Sequence, residues 1–384
     1  MYKKNLVFAA ACIGMFLFGI VFLSFGTIFT FLSLKFNIDN ITAGSLAALL
    51  PLGMLGGSLF FGPFVDRYGY KKLLIICSAL IVAGIEAIAY TSSFGFLQAA
   101  FFLIGFGGGA INGGTNALVA DISSEGKGAN LSLLGVFFGV GAISMPALLG
   151  ALSQSMSYNS IIAGIGLAVI IPIIYFISIA FPSPKQAQGF PIKEGLALLK
   201  QPTLILFGFI LFFESGLEGI VGNWTTSFMK DGLHLTTENA LFALSSQVIA
   251  LAVARLILGG VLKKVKPSVT LFICYAFIFT GGIIMLLGAT FFSSLIALIF
   301  IGVGFAAGFP VILGYVGELY ANLSGTAFSV VLVMALTGNT LINYLVGAVA
   351  QSYGIQKFPI ILVICAVIMA LLLSVSLSKI STKK

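Results

Sequence analysis

The chain has 384 residues, 59% of them apolar and only 8% charged; soluble domains carry about a quarter charged residues, so no water-facing globule can be covered from this set. The net charge of +8 does not point to nucleic acid, because the basic residues sit at the ends of apolar runs, where membrane topology uses them. The four cysteines (Cys12, Cys77, Cys274, Cys365) lie singly inside apolar runs, which argues against a disulfide framework or a metal site; no cofactor is expected.

The apolar runs are about 18 to 25 residues long, the length of helices crossing a hydrocarbon core of roughly 30 Å. A barrel would show shorter stretches alternating polar and apolar, and the sequence has none. In chain order the first span is 6–32, too long for a cleaved leader and lacking a small-residue cleavage site. Span 2 covers 42–63 and is followed by Asp66 and Arg67. Span 3, 73–91, carries Glu86 at its centre, and span 4, 95–119, carries Asn112 and Asn116 and ends beside Asp121. Spans 5 and 6 are 130–152 and 159–181. The stretch 182–202, with Pro182, Pro184, Pro191, Lys185, Lys193 and Lys200, is the only long polar connection.

Span 7, 203–229, holds Glu214, Glu218, Asn223 and Trp224. Span 8, 239–262, holds Gln247 and Arg255 and is followed by Lys264. Span 9 is 269–290; span 10, 293–316, ends near Glu318; span 11, 325–348, holds Asn339 and Asn343; span 12 is 357–378. The expected fold is an all-α membrane protein of twelve helices in two six-helix bundles, 1–181 and 203–384, joined by the linker 182–202. With the N-terminus inside, only Lys35, Lys230 and Lys357 fall outside and Arg255 falls within a span. Every other Lys and Arg lies on the side of the termini. That bias predicts both termini in the cytoplasm and a multi-pass protein of a bacterial-type plasma membrane.

Shifted by 197 residues, the chain matches itself: Gly19 falls on Gly216, Cys77 on Cys274, Gly84 on Gly281, Gly105 and Gly107 on Gly302 and Gly304, and Asp121 on Glu318. Gly150-Ala-Leu-Ser-Gln-Ser155 meets Gly347-Ala-Val-Ala-Gln-Ser352. Parallel six-span repeats are a transporter architecture, with the solute site expected at the midplane between repeats. A channel or an anchor needs no such halves.

The loop after span 2 reads Gly62-Pro-Phe-Val-Asp66-Arg67-Tyr-Gly69-Tyr-Lys71-Lys72 and resembles the G-x-x-x-D-R-x-G-x-K-K signature of the major facilitator superfamily. In this loop Asp66 can accept hydrogen bonds from a neighbouring helix N-terminus. Arg67 can pair with Asp121, and 197 residues on, Lys264 and Glu318 occupy the same two places. Arg67–Asp121 and Lys264–Glu318 are therefore expected as equivalent cytoplasmic gate contacts. Glu214-Ser-Gly-Leu-Glu218-Gly-Ile-Val-Gly222-Asn223-Trp224 in span 7 and Asn112-Gly-Gly-Thr-Asn116 in span 4 resemble the fucose–galactose–proton symporters and their sodium-dependent glucose transporter relatives. That resemblance implies a neutral sugar as the solute. The chain departs from the proton symporters in having no acid in span 1 and Asn at 112, so their proton route does not carry over.

Charged groups at the bilayer centre cost at least about 2.5–3.5 kcal/mol, so each is a functional candidate. Glu214 and Glu218, four apart, share a helix face and suit a proton or a sodium ion as coupling ion. Glu86 is a structural hydrogen-bonding group or a secondary coupling group, and Arg255 is expected to pair with Glu318. The amides Asn112, Asn116, Gln247, Asn339 and Asn223, with Trp224 and Glu218, form the expected solute-binding set, since amides both donate and accept. Trp224, the only tryptophan, is either a stacking platform for a sugar ring or an interfacial anchor. Gly141-Ala-Ile-Ser-Met145-Pro146-Ala-Leu-Leu-Gly150 loosely resembles the superfamily's antiporter motif and keeps an exporter of drugs or metabolites as the alternative. A sensor is disfavoured because no loop is long enough for a soluble domain, and an enzyme because no catalytic constellation is visible. The chain is expected to work as a monomer in the lipid bilayer.

Overall fold

A computed structural model describes residues 2–36, 40–123, 126–152, 155–184 and 197–381. Among these residues there is no strand, and 12 stretches are long and apolar enough to cross a membrane. Most of the expected linker, 185–196, lies outside the described residues. The first half consists of α1 (Lys4–Phe36), α2 (Asn40–Tyr68), α3 (Tyr70–Tyr90), α4 (Phe94–Ile122), α5 (Lys127–Leu152), α6 (Tyr158–Ala168) and α7 (Ile170–Ser178). The second consists of α8 (Pro202–Ser227), α9 (Thr237–Val261), α10 (Pro267–Leu287), α11 (Phe291–Gly304), α12 (Gly308–Leu319), α13 (Ser324–Tyr353) and α14 (Phe358–Ser381).

Two spans that read as continuous in the sequence are broken, and proline explains both. Proline lacks the N–H that would bond the carbonyl four residues back. Pro172 therefore leaves Ala168 without its helical donor, and α6 ends there; α7 begins two residues on. Pro310 does the same to Ala306, and span 10 opens at 305–307 between α11 and α12. Pro310 is then tolerated in the first turn of α12, where the amides have no intrahelical partner. The repeat-equivalent of Pro310 is Gly113, and α4 runs through that position unbroken.

Helix packing shows that the repeat is structural. A Cβ on Gly107 would lie 2.7 Å from the Cys77 carbonyl oxygen, and one on Gly304 would lie 2.7 Å from that of Cys274. A Cβ on Gly84 would press on the Ala100 carbonyl and one on Gly281 on that of Ala297. Gly105 rests on the Leu50 carbonyl, as Gly302 rests on that of Gln247. Each pair is separated by the same 197 residues. Lipid tails are as apolar as leucine, so membrane helices associate through close packing, and small residues let backbones approach.

The chain divides into two compact units that depart from the sequence halves at two segments. The first comprises 1–122, 134–195 and 320–329, the second 123–133, 196–319 and 330–384. The exchanged segments, 123–133 and 320–329, are themselves repeat equivalents.

Candidate functional site

In the first unit, the start of α13 meets the end of α2. Asp66 is fully buried. Its Oδ2 accepts from the Thr326 backbone N–H at 3.0 Å and from Thr326 Oγ1 at 2.7 Å. A carboxylate there offsets the positive end of the helix dipole and takes a first-turn amide that has no intrahelical partner. Asp121 accepts from Ser324 Oγ at 2.7 Å and from Tyr70 Oη. Gly62 makes room, since a Cβ on it would lie 2.8 Å from Thr326 Cα. The Arg67 guanidinium lies 5.7 Å from the Tyr68 ring centroid. Ser324, Thr326 and Tyr70 are absent from the residues expected from sequence alone. The Ser324-Gly-Thr326 opening of span 11, a common helix-start composition, was the available signal.

The second unit repeats one of these contacts. Ser132 Oγ donates to the Arg255 carbonyl at 2.8 Å, and Ser329 Oγ donates to the Ser58 carbonyl in the first unit. Lys127 Nζ donates to the Gly317 carbonyl at 3.2 Å. The expected Lys264–Glu318 pair does not form among the described residues. Both side chains are exposed, and exposed ion pairs gain too little to hold two long side chains in one geometry.

Glu218 and Arg255 lie in the spans α8 and α9. Arg255 Nη2 is 3.4 Å from Glu218 Oε1, with side-chain exposures of 14% and 30%. The expected partner of Arg255 was Glu318, which instead lies exposed at the end of α12. A guanidinium inside a span needs a carboxylate at its own depth, and Glu218 supplies it. Glu214, one turn earlier, is fully buried, and neither oxygen has a hydrogen-bond partner among the described residues.

Polar side chains bind α8 to α13. Asn343 Oδ1 accepts from Asn223 Nδ2 at 3.0 Å and from Trp224 Nε1 at 3.1 Å. Asn343 Nδ2 donates to the Asn339 carbonyl at 2.8 Å, and Asn339 Nδ2 donates to the Ser215 carbonyl at 2.8 Å. The Trp224 ring lies over Gly347, where a Cβ would be 3.4 Å from the ring. Trp224 thus has one face on α13 and its N–H engaged. Asn343, outside the expected binding set, is the centre of this network. Replacing it with leucine should cost about 1–2 kcal/mol, the upper range for interhelical polar contacts in membranes. The emission of the single tryptophan should shift as Nε1 loses its acceptor; an unchanged spectrum and melting temperature would refute the assignment.

In α4, Asn116 Nδ2 donates to the Asn112 carbonyl at 2.8 Å and to its Oδ1 at 3.1 Å. Asn116 is buried and Asn112 half-buried. Gln247 is buried in α9. Glu86 is half-buried, its carboxyl against Gly166 of α6 and its Oε1 without a partner among the described residues. No cluster of three or more metal-ligating side chains occurs among the described residues.

The profile of the Major Facilitator Superfamily matches residues 11–338. The glucose/mannose transporter GlcP of Bacillus subtilis (strain 168) is 22% identical over 349 residues, 86% of this chain and 84% of that protein. The 3-(3-hydroxy-phenyl)propionate transporter of Escherichia coli (strain K12) is 23% identical over 334 residues, 84% and 82% of the two chains. Among solved structures, the fold is similar to that of the Escherichia coli fucose:proton symporter FucP. Its outward conformation gives a TM-score of 0.80 at 17% identity, covering 96% of this chain and 98% of that one.

Proposed function

We propose that this chain, which belongs to the Major Facilitator Superfamily, carries a neutral hexose or related polyol across the membrane by alternating access. It is an integral multi-pass membrane protein with the fold of a transporter, not of an enzyme. The solute is the open question, because the relatives divide. GlcP is named for neutral sugars, the hydroxyphenylpropionate transporter for an aromatic acid.

The Glu218–Arg255 pair carries the choice. Both side chains keep partial exposure within apolar spans, which is tolerable only beside water or a polar solute. A carboxylate solute is best held by an arginine free to form two parallel hydrogen bonds. Here the guanidinium is already neutralised by Glu218. A pair with no net charge, offering donors on one side and acceptors on the other, suits hydroxyls that both give and take. The residues that knit α8 to α13, including Asn223, Trp224 and Asn339, shape the second unit around Glu218.

Ligand that binds only the folded state raises its stability. Purified protein should therefore be stabilised by one or more neutral hexoses or polyols and not by 3-(3-hydroxyphenyl)propionate. Stabilisation by the acid alone, or drug resistance on overexpression without hexose uptake, would overturn the reading in favour of an acid carrier or an exporter.

A further inference from the structure

Glu214 and Glu218 are one helical turn apart on α8, but they meet different surroundings. Glu218 is partly exposed and paired with Arg255. Glu214 is 0% exposed, with both oxygens unpartnered among the described residues. Its carboxyl group rests on Gly308, the first residue of α12, just past the break in span 10. A Cβ at 308 would overlap Oε1 and lie 2.6 Å from Oε2. Across the break, Cys274 of α10 donates its thiol to the Val303 carbonyl at 3.9 Å. The neighbouring Tyr275 is fully buried, with its hydroxyl also unpartnered among the described residues.

The other half shows what this position needs for folding alone. The repeat equivalents of Glu214 and Gly308 are Leu17 and Ile111, both buried and apolar. Those of Glu218, Arg255 and Tyr275 are Val21, Ser58 and Ser78. A carboxyl group facing a glycine at a helix break is therefore a feature of the second half only.

The charges around Glu214 can be counted. Glu218 faces it from its own helix, Arg255 from α9, and Cys274 and Tyr275 from α10. The first turn of α12 has no titratable side chain, α13 carries no charged residue, and α14 carries only Lys379, at its end. Arg255 balances Glu218, leaving one carboxyl group in an apolar interior, where a bare charge is strongly disfavoured. One positive charge must complete the site. A sodium ion needs about six oxygen ligands by analogy with other hard cations, whereas the Glu214 carboxyl lies against Gly308 and neither of its oxygens has a hydrogen-bond partner among the described residues. The space is too tight for an ion between carboxyl and Gly308.

We propose that Glu214 is a proton-binding site that controls the break in span 10. As a neutral acid it packs on Gly308 and lets α12 lie against α8. When the proton leaves to water beside the Glu218–Arg255 pair, the carboxylate turns toward Arg255, competes with Glu218 and withdraws from Gly308. α12 is then released to pivot at 305–307. Proton occupancy is thus linked to a helix that contributes to the transport cycle. The consequence for coupling rests on the transport reading; the proton site itself does not.

Infrared spectroscopy of the purified full chain tests this directly. At neutral pH the protein should show a protonated-carboxyl band that Na⁺ does not remove. The band should be lost in Glu214→Gln and kept in Glu218→Gln. In proteoliposomes, Glu214→Gln should keep solute exchange but lose accumulation driven by a proton gradient. Absence of the band in the unmodified protein, its persistence in Glu214→Gln, or its removal by Na⁺ at fixed pH would overturn the proposal. Should Glu214→Gln fail to fold, carbodiimide labelling of the unmodified protein mapped by mass spectrometry decides: modification of Glu214 supports the site, and no modification refutes it. A protein that shows the band but neither binds nor moves any hexose keeps the proton site and loses the sugar reading.

Discussion

Arg255→Met is expected to abolish solute uptake and to lower stability by about 1–3 kcal/mol. Removing one partner of a fully buried pair costs about 3–5 kcal/mol, and the partial exposure of both side chains here reduces that, as it does for pairs near water. Glu218 would be left as an uncompensated carboxylate inside a span, beside the already unpartnered Glu214. The double variant Arg255→Met with Glu218→Gln removes the stranded charge. It should regain most of the lost stability while uptake stays absent. That split separates a pair that only holds α8 to α9 from one that also faces the solute. Recovery of uptake together with stability would show the pair to be structural and would take away the observation on which the neutral-solute reading stands.

Asp66→Ala should have an effect of similar size by another route. Asp66 Oδ2 takes both Thr326 donors, and hydrogen bonds to a charged group contribute about 1.5–3 kcal/mol. With alanine the buried Thr326 amide loses its acceptor at the N-terminus of α13, and the dipole there loses its counter-charge. The measurement is amide hydrogen exchange: protection at Thr326 and its neighbours should fall, with a lower melting temperature and impaired transport. Asp66→Asn, which keeps an acceptor but not the charge, should lie between alanine and the unmodified protein. Unchanged protection at Thr326 in Asp66→Ala would refute the assignment. Asp121 is held separately by Ser324 and Tyr70, so the loss should stay local to the first turn of α13.

Much of the architecture was legible because it follows from composition and period. A chain so poor in charge must satisfy its backbone in lipid, and only helices do so from local sequence. The 197-residue offset was visible as glycine register, and the structure uses that register for close packing, as at Gly107 with Cys77 and Gly304 with Cys274. Asp66 was also legible, since its loop motif and its chemistry both call for a helix N-terminus. Other features were present in the sequence but needed context. Pro310 carries the break in span 10, yet proline inside a membrane helix kinks, breaks or is absorbed according to its neighbours.

What stayed hidden was the choice among partners. Arg255 was expected to pair with Glu318, and Glu218 proved to be its partner. Lys264 and Glu318 matched Arg67 and Asp121 in register, but water at the helix ends leaves such a pair with little to gain. Asn343, outside the expected binding set, is the acceptor for two side chains of α8 because α13 lies beside it. The sequence by itself determined the number of spans, the repeat, and which residues are too costly to leave in lipid without a purpose, because hydrophobicity and helical period are local quantities. Only the tertiary structure decided which costly group meets which: Glu218 with Arg255, Asp66 with Thr326, Glu214 with Gly308. Those pairings depend on helix depth, rotation and the position of a break, which are set when the helices pack.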